Sequence, residues 1–212
     1  MHLVPVSDDA KPDIASLVAS RICHDLVSPL GAIANGLELL AMSGIAAGAE
    51  LALISESVAA ANDRIRVFRV AFGQALAGQR IARADLQAAI DAQIRTGRLA
   101  IDWTVAPEGT ERGLAKLALL AILCLESAMP RGGTATVAAG TCWRLTGRSD
   151  TIRQDDPIWS SFGTTGPGDA PTGDAPFPSP ALVQVALLGS EAQRLGRRLS
   201  AETGTGQIVI SF

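Results

Sequence analysis

Two long apolar stripes, each advancing in alternating steps of three and four, occupy the first third of the chain and leave it few ways to fold. The first runs Ala19, Ile22, Leu26, Leu30, Ile33, Leu37 and Leu40; the second runs Leu51, Ile54, Val58, Ala61, Ile65, Phe68 and Phe72. That spacing puts each set on one face of an α-helix. Asp13 reads as the N-cap of the first helix, which runs to about Met42. Between the stripes, Ser43-Gly44-Ile45-Ala46-Ala47-Gly48 breaks the pattern with two glycines and reads as a short connection. Polar residues of the second helix, Glu56, Asn62, Asp63, Arg66 and Arg69, lie off its stripe. Two such helices form an antiparallel hairpin, and a hairpin covers each apolar seam on one side only. A second copy of the chain would cover the other side, so the expected assembly is a homodimer closed as a four-helix bundle about a two-fold axis. Packing of the seams against the chain's own second half is the alternative.

From Gln79 onward the texture changes. A short helix around Asp85 to Arg95 precedes an alternating strand, Leu99 to Val105, and then a strongly apolar helix from about Thr110 to Ala128. Met129-Pro130-Arg131-Gly132-Gly133 ends that helix, and the runs Thr134 to Ala139 and Cys142 to Thr146 read as a β-hairpin turning near Gly140. Residues Gly163 to Pro180, rich in Gly, Pro, Asp and Thr without periodicity, read as a long loop. A last helix is expected from Ser179 or Pro180 to about Glu202, leading through Gly204 and Gly206 into a final strand, Gln207 to Phe212. The fold class is therefore α+β: a helical hairpin over residues 1–78, then a helix-and-sheet sandwich over residues 79–212.

Charge and composition exclude several function classes. Of 212 residues only 18 are Lys or Arg, scattered through a chain of net charge −3, so no basic stripe is available for nucleic acid. Leu114 to Leu125, the longest apolar stretch, is interrupted by Lys116 and is far shorter than the ~20 residues a bilayer span requires. Cys23, Cys124 and Cys142 are odd in number and widely spaced, without a secretory leader, which fits a reducing cytoplasm. No CxxC is present, and His2 lies at the terminus, which leaves His24 as the one useful imidazole and no expected zinc site. Cys23 reads as a seam residue, because consecutive helical residues diverge by about 100° and cannot form a thiol–imidazole pair. Trp103, Trp143 and Trp159 read as packing residues.

His24 sits about 160° around the first helix from Leu26, on the face opposite the seam. The same face carries Arg21, Ser28, Gly31 and Asn35, with Asp25 on its flank. These neighbours are mostly small, so another protein's surface can come close, and Arg21 one turn away can attract a phosphoryl group or an acidic pocket. Pro29 falls five residues after the histidine. It removes the hydrogen bond to the Asp25 carbonyl at a cost of about 3 kcal/mol in an ordinary helix interior, loosening or bending the helix beside His24. Such local breaks of the rules are where functional sites tend to sit.

His24-Asp25-Leu26-Val27-Ser28-Pro29-Leu30 resembles the phosphoacceptor box of histidine kinases. The wider stretch from Ser20 to Leu40 resembles a narrower family, the ChpT-type histidine phosphotransferases of bacterial phosphorelays, and Pro130-Arg131-Gly132-Gly133 with the closing helix and strand extends that resemblance over most of the chain. The resemblance implies a phosphotransferase with a phosphohistidine intermediate. His24 would accept a phosphoryl group from a receiver-domain aspartate and pass it to a second response regulator. Asp25 would orient the imidazole and handle its proton. Ser28 occupies the place where related kinases often carry Thr or Asn to position water, and Arg21, Gly31 and Asn35 would line the docking face with it. The receiver supplies the Mg²⁺ in such transfers, so no cofactor or metal is required of this chain.

The second half resembles the ATP-binding domain of histidine kinases, yet its nucleotide motifs are missing. Leu117 to Met129 has Glu126 and Ser127 but no asparagine, and neither Asp150 nor the Asp155-Asp156 pair is followed by the glycines of an Asp-x-Gly-x-Gly box. Gly163-Thr164-Thr165-Gly166-Pro167-Gly168 has a proline without an amide donor and no following Lys-Ser/Thr, so it does not read as a phosphate cradle. The expected domain is a degenerate, non-ATP-binding one, without autokinase activity. A non-catalytic adaptor that binds a response regulator or kinase is the main alternative, and an ATP-dependent kinase a weaker one.

Overall fold

A computed structural model describes residues 14–43, 48–105, 110–153 and 182–212. Helix α1 (Ile14–Ser43) and helix α2 (Gly48–Ala71), with only four residues between them, pack against each other as the hairpin. Helix α3 (Arg83–Thr96), strand β1 (Leu99–Trp103), helix α4 (Arg112–Ala128), strands β2 (Gly133–Ala139) and β3 (Trp143–Arg148), helix α5 (Val183–Arg194) and strands β4 (Ser200–Gly204) and β5 (Gln207–Ser211) follow. Asp13, Trp159 and the loop read at Gly163 to Pro180 lie outside the described residues.

The five strands form one sheet in the order β1-β2-β3-β5-β4. Strands β1 and β2 are parallel, with Leu99 opposite Gly133, and α4 supplies the crossover such a pair needs. The other pairs are antiparallel: β2 and β3 form the hairpin through Gly140, with Ala139 opposite Trp143, and Leu145 of β3 lies opposite Ile210 of β5. Alternate residues face the helices. Ala135 and Val137 of β2, Leu145 of β3, and Ile208 and Ile210 of β5 are fully buried, whereas Thr134, Arg144 and Arg148 are exposed. Trp143 stacks on Phe212 and meets Trp103 edge-on, closing one end of the sheet.

Helix α4 is apolar on almost every side because it is covered on almost every side. Leu117, Leu119, Leu120, Ile122 and Leu125 have no exposed surface, and the helix touches β2, β3, α2 and α5. Gly147 makes the closest approach possible: a Cβ there would lie 2.9 Å from both Leu125 Cδ2 and Met129 Cε. Val70 and Ala71 at the end of α2 belong to this same core. The chain's own second half therefore covers the last two turns of α2, as the alternative packing anticipated.

Farther up the hairpin the seams are only half covered. Leu30 and Leu37 of α1 are each 56% exposed, and Leu51, Val58 and Ile65 of α2 are 51%, 42% and 43% exposed. What lies between the helices is smaller: Gly36 and Ser57 are buried, and the partly buried line on α1 runs through Pro29, Ile33 and Leu40.

The last helix is shorter than the sequence reading places it. It ends at Arg194, and residues up to Glu202, expected as helix, belong in part to β4. Gly196, at φ +64°, adopts the left-handed conformation, its N–H donates to the Gln193 carbonyl and that of Arg197 to the Ala192 carbonyl. This pair of bonds is the Schellman closure that a glycine just past a helix favours, and it frees the chain for β4, which pairs with β5.

Candidate functional site

His24 lies within α1, one turn before Pro29, the proline inside that helix. The side chains of Arg21, Cys23 and His24 lie outside the described residues. The remaining residues of the expected face are described. Ser28, Gly31 and Asn35 are exposed, Asp25 is half-buried, and a Cβ built on Gly31 meets no atom within 4 Å. Ser28, Gly31 and Asn35 thus form an exposed stretch of small groups on this helix.

What holds this turn of α1 lies on its other side. Ile22, two residues before His24, packs against a buried cluster of Val67 and Phe68 from α2 and Ala92 from α3, with Phe72 beside it. Just beyond, Asp63 of α2 is 6% exposed, although the sequence places it off the apolar stripe. Its carboxylate accepts two bonds from Arg95 of α3, Nε to Oδ2 at 2.7 Å and Nη2 to Oδ1 at 2.9 Å, and one from Arg66 Nη1 at 2.8 Å. Arg64 Nη2 adds a bond to the Thr96 carbonyl at 2.8 Å. No sequence signal joins Asp63 to Arg95, because their partnership exists only once α3 folds back onto α2.

The Arg95 hydrogen bonds hold the Asp63 carboxyl below its ordinary value of 3.8 against the opposing effect of burial, and the charges of Arg95 and Arg66 add to them. A depressed carboxylate contributes stability that is complete above the unfolded value and is lost as pH falls through the folded one. Asp63→Asn is therefore expected to lower stability by about 1–2 kcal/mol at pH 6, with the gap narrowing below about pH 4, as melting temperatures at several pH values would show. A gap that stays constant down to pH 2.5 would contradict this assignment.

Glu126 and Ser127, which stand where the kinase-like asparagine is absent, are both engaged. Glu126 accepts bonds from Gln93 Nε2 at 2.7 Å and from the Arg98 backbone N–H at 3.0 Å. Ser127 Oγ accepts from Gln184 Nε2 of α5 at 2.8 Å, and donates to the Leu123 carbonyl. Among the described residues no group of three or more His, Cys, Asp or Glu side chains is placed to hold a metal ion, and no helix is long and apolar enough to cross a membrane.

Residues 83–207, more than half of the chain, match the family model described as the histidine phosphotransferase C-terminal domain. The chain belongs to this family. It is similar to the protein phosphotransferase ChpT of Brucella abortus (strain 2308), with 40% identity over 126 residues. That match covers 59% of this chain and spans 60% of the relative's length. A solved structure described as a bacterial phosphotransferase is 31% identical and superposes with a TM-score of 0.73 over 99% of each chain. The family match begins at α3, so it defines the sheet half; the case for His24 rests on the helix that precedes it.

Proposed function

We propose that this chain is a histidine phosphotransferase of a bacterial phosphorelay that carries the phosphoryl group on His24. The observation that carries the reading is a His-Asp-x-x-x-Pro-Leu box on a helical face whose other members, Ser28, Gly31 and Asn35, are open to solvent, in a chain of the histidine phosphotransferase family. A neutral imidazole nitrogen of His24 attacks the phosphorus of a receiver aspartyl phosphate; the N–P bond forms, the aspartyl O–P bond breaks, and the carboxylate leaves with the electron pair. The other ring nitrogen releases its proton, for which the Asp25 carboxylate, one residue along, is the acceptor. Return of that proton precedes transfer to a second receiver, whose aspartate displaces the imidazole. Mg²⁺ held by the receiver neutralises charge on the phosphoryl oxygens. Arg21, Ser28, Gly31 and Asn35 form the docking face.

Engagement of Glu126 by α3 and by the Arg98 N–H just before β1, and of Ser127 by α5, supports a second half in which these positions serve packing rather than ATP binding. Mixing the protein with a ³²P-labelled receiver tests the reading: label is expected on this chain and then on a second receiver. A chain that binds the receiver but never carries label is an adaptor, and labelling by ATP alone makes it a kinase.

The proposed assembly is a homodimer. Leu30 and Leu37 on α1, and Leu51, Val58 and Ile65 on α2, are exposed at seven-residue intervals, the repeat of a helical-bundle seam. Light scattering is expected to give twice the chain mass at micromolar concentration, and Leu37→Glu to give a folded monomer. A monomeric unaltered chain would refute the four-helix closure.

A further inference from the structure

Pro29 has no N–H to donate to the Asp25 carbonyl, so α1, which runs unbroken through this point, lacks one rung of its ladder beside the His24 turn. The turn gains from support elsewhere, and Ile22 supplies some by packing against the cluster that Val67, Phe68 and Ala92 form. One of those three residues, Ala92, belongs to α3, in the sheet half. Three residues on, the Arg95 fork grips Asp63 of α2, and Arg64 of α2 bonds the carbonyl at the end of α3. Resting on the proposed transfer through His24, we infer that Asp63 and Arg95 are positioning residues: their ion pair locks α3 onto α2, and the locked pair forms the platform against which Ile22 seats the phosphoacceptor turn.

This assigns the sheet half a part in catalysis without a nucleotide. Effective in-line attack requires the imidazole and the phosphoryl group to be placed within a fraction of an ångström, and small misplacements far from the reacting atoms cost large factors in rate. Loosening the platform lets the turn before Pro29 sample more orientations. The step that suffers is transfer within the complex; docking, which uses the opposite face of α1, does not. Arg66 provides the internal contrast. It bonds the same Asp63 oxygen as Arg95 Nη2, but from three residues along α2, so it does not reach across to α3.

Single-turnover transfer from a phosphorylated receiver, measured over a range of receiver concentrations with the full chain, tests the inference. Arg95→Ala is expected to lower the rate at saturating receiver about tenfold while the half-saturating concentration stays within about twofold. Arg95→Lys, which keeps the charge without the fork, should recover part of the rate, and Arg66→Ala should leave it within about twofold. Hydrogen exchange of the backbone amides at 20–28 should accelerate in Arg95→Ala and Asp63→Asn but not in Arg66→Ala. Circular dichroism on each variant confirms a folded chain, and should Arg95→Ala fail to fold, Asp63→Asn and Arg95→Lys take its place. Unchanged saturating rates, unchanged exchange, an equal loss in Arg66→Ala, or a loss confined to the half-saturating concentration would each overturn the positioning role. Should the unaltered chain take no label at all, the transfer reading fails, whereas the exchange comparison still decides whether the ion pair holds the turn.

Discussion

A His24→Ala chain is expected to fold as the unaltered chain does and to lose phosphoryl acceptance by at least about 10³-fold, the equivalent of about 4 kcal/mol of transition-state stabilisation. Stability should hold because the position lies on a helical face whose described members are exposed, and alanine is the best helix former. Activity should not, because no other side chain can take over. The only other histidine in the sequence is His2, and consecutive positions of a helix such as Cys23 and His24 are about 100° apart around its axis. The measurement is label retained on the chain after mixing with a phosphorylated receiver, read beside a melting curve. Label that persists in His24→Ala would sink the assignment of the phosphoacceptor, and a loss accompanied by a large fall in melting temperature would shift the explanation to folding. Binding of the receiver should survive, since Ser28, Gly31 and Asn35 are untouched.

Much of this molecule is legible in its sequence because local rules govern it. The first stripe with its bounds at Asp13 and Met42 gives α1 to within a residue, the second gives α2 to within three, Pro130 to Gly133 ends α4, and Gly140 turns the β2-β3 hairpin. Where the reading failed, the deciding contact was remote or the rule was overlooked. Gly196 is a local stop signal in the sequence, and a helix continued past it to Glu202 leaves no room for β4. The half-covered seams agree with the expectation for a lone hairpin, though periodicity does not say which seam residues the hairpin partner covers and which it leaves open. The burial of Asp63, which lies off the apolar stripe, is not legible because its partner Arg95 is brought to it only by the return of α3. The open face of α1 was legible for the opposite reason: it depends on the helix alone.

Lys116 shows the same limit and carries the second large effect. In sequence it only interrupts an apolar run. In the fold it is 8% exposed on α4, with its ammonium 3.4 Å from Glu191 of α5, itself 8% exposed. Burial pushes the Glu191 carboxyl upward, but the Arg194 hydrogen bond and the charges of Lys116 and Arg194 outweigh it, so the group is held below its ordinary value of 4.5. Two buried charges cost much to desolvate, and removing one leaves the other uncompensated. Glu191→Gln is therefore expected to destabilise the chain by about 3 kcal/mol, and to lower its melting temperature by roughly 10 °C, at neutral pH. As pH falls below about 4.5 the unaltered chain loses the same contribution by protonation, so the two melting curves should converge. Replacing both partners with apolar residues, Lys116→Met with Glu191→Leu, removes both desolvation costs while keeping the α4–α5 contact filled, and should restore stability to within about 1 kcal/mol of the original. If Glu191→Gln melts within a degree of the unaltered chain, the pair is not a buried one in solution. If the double variant falls as far as the single one, the pair is needed for its own attraction, and not merely because each charge must be answered once it lies between these helices.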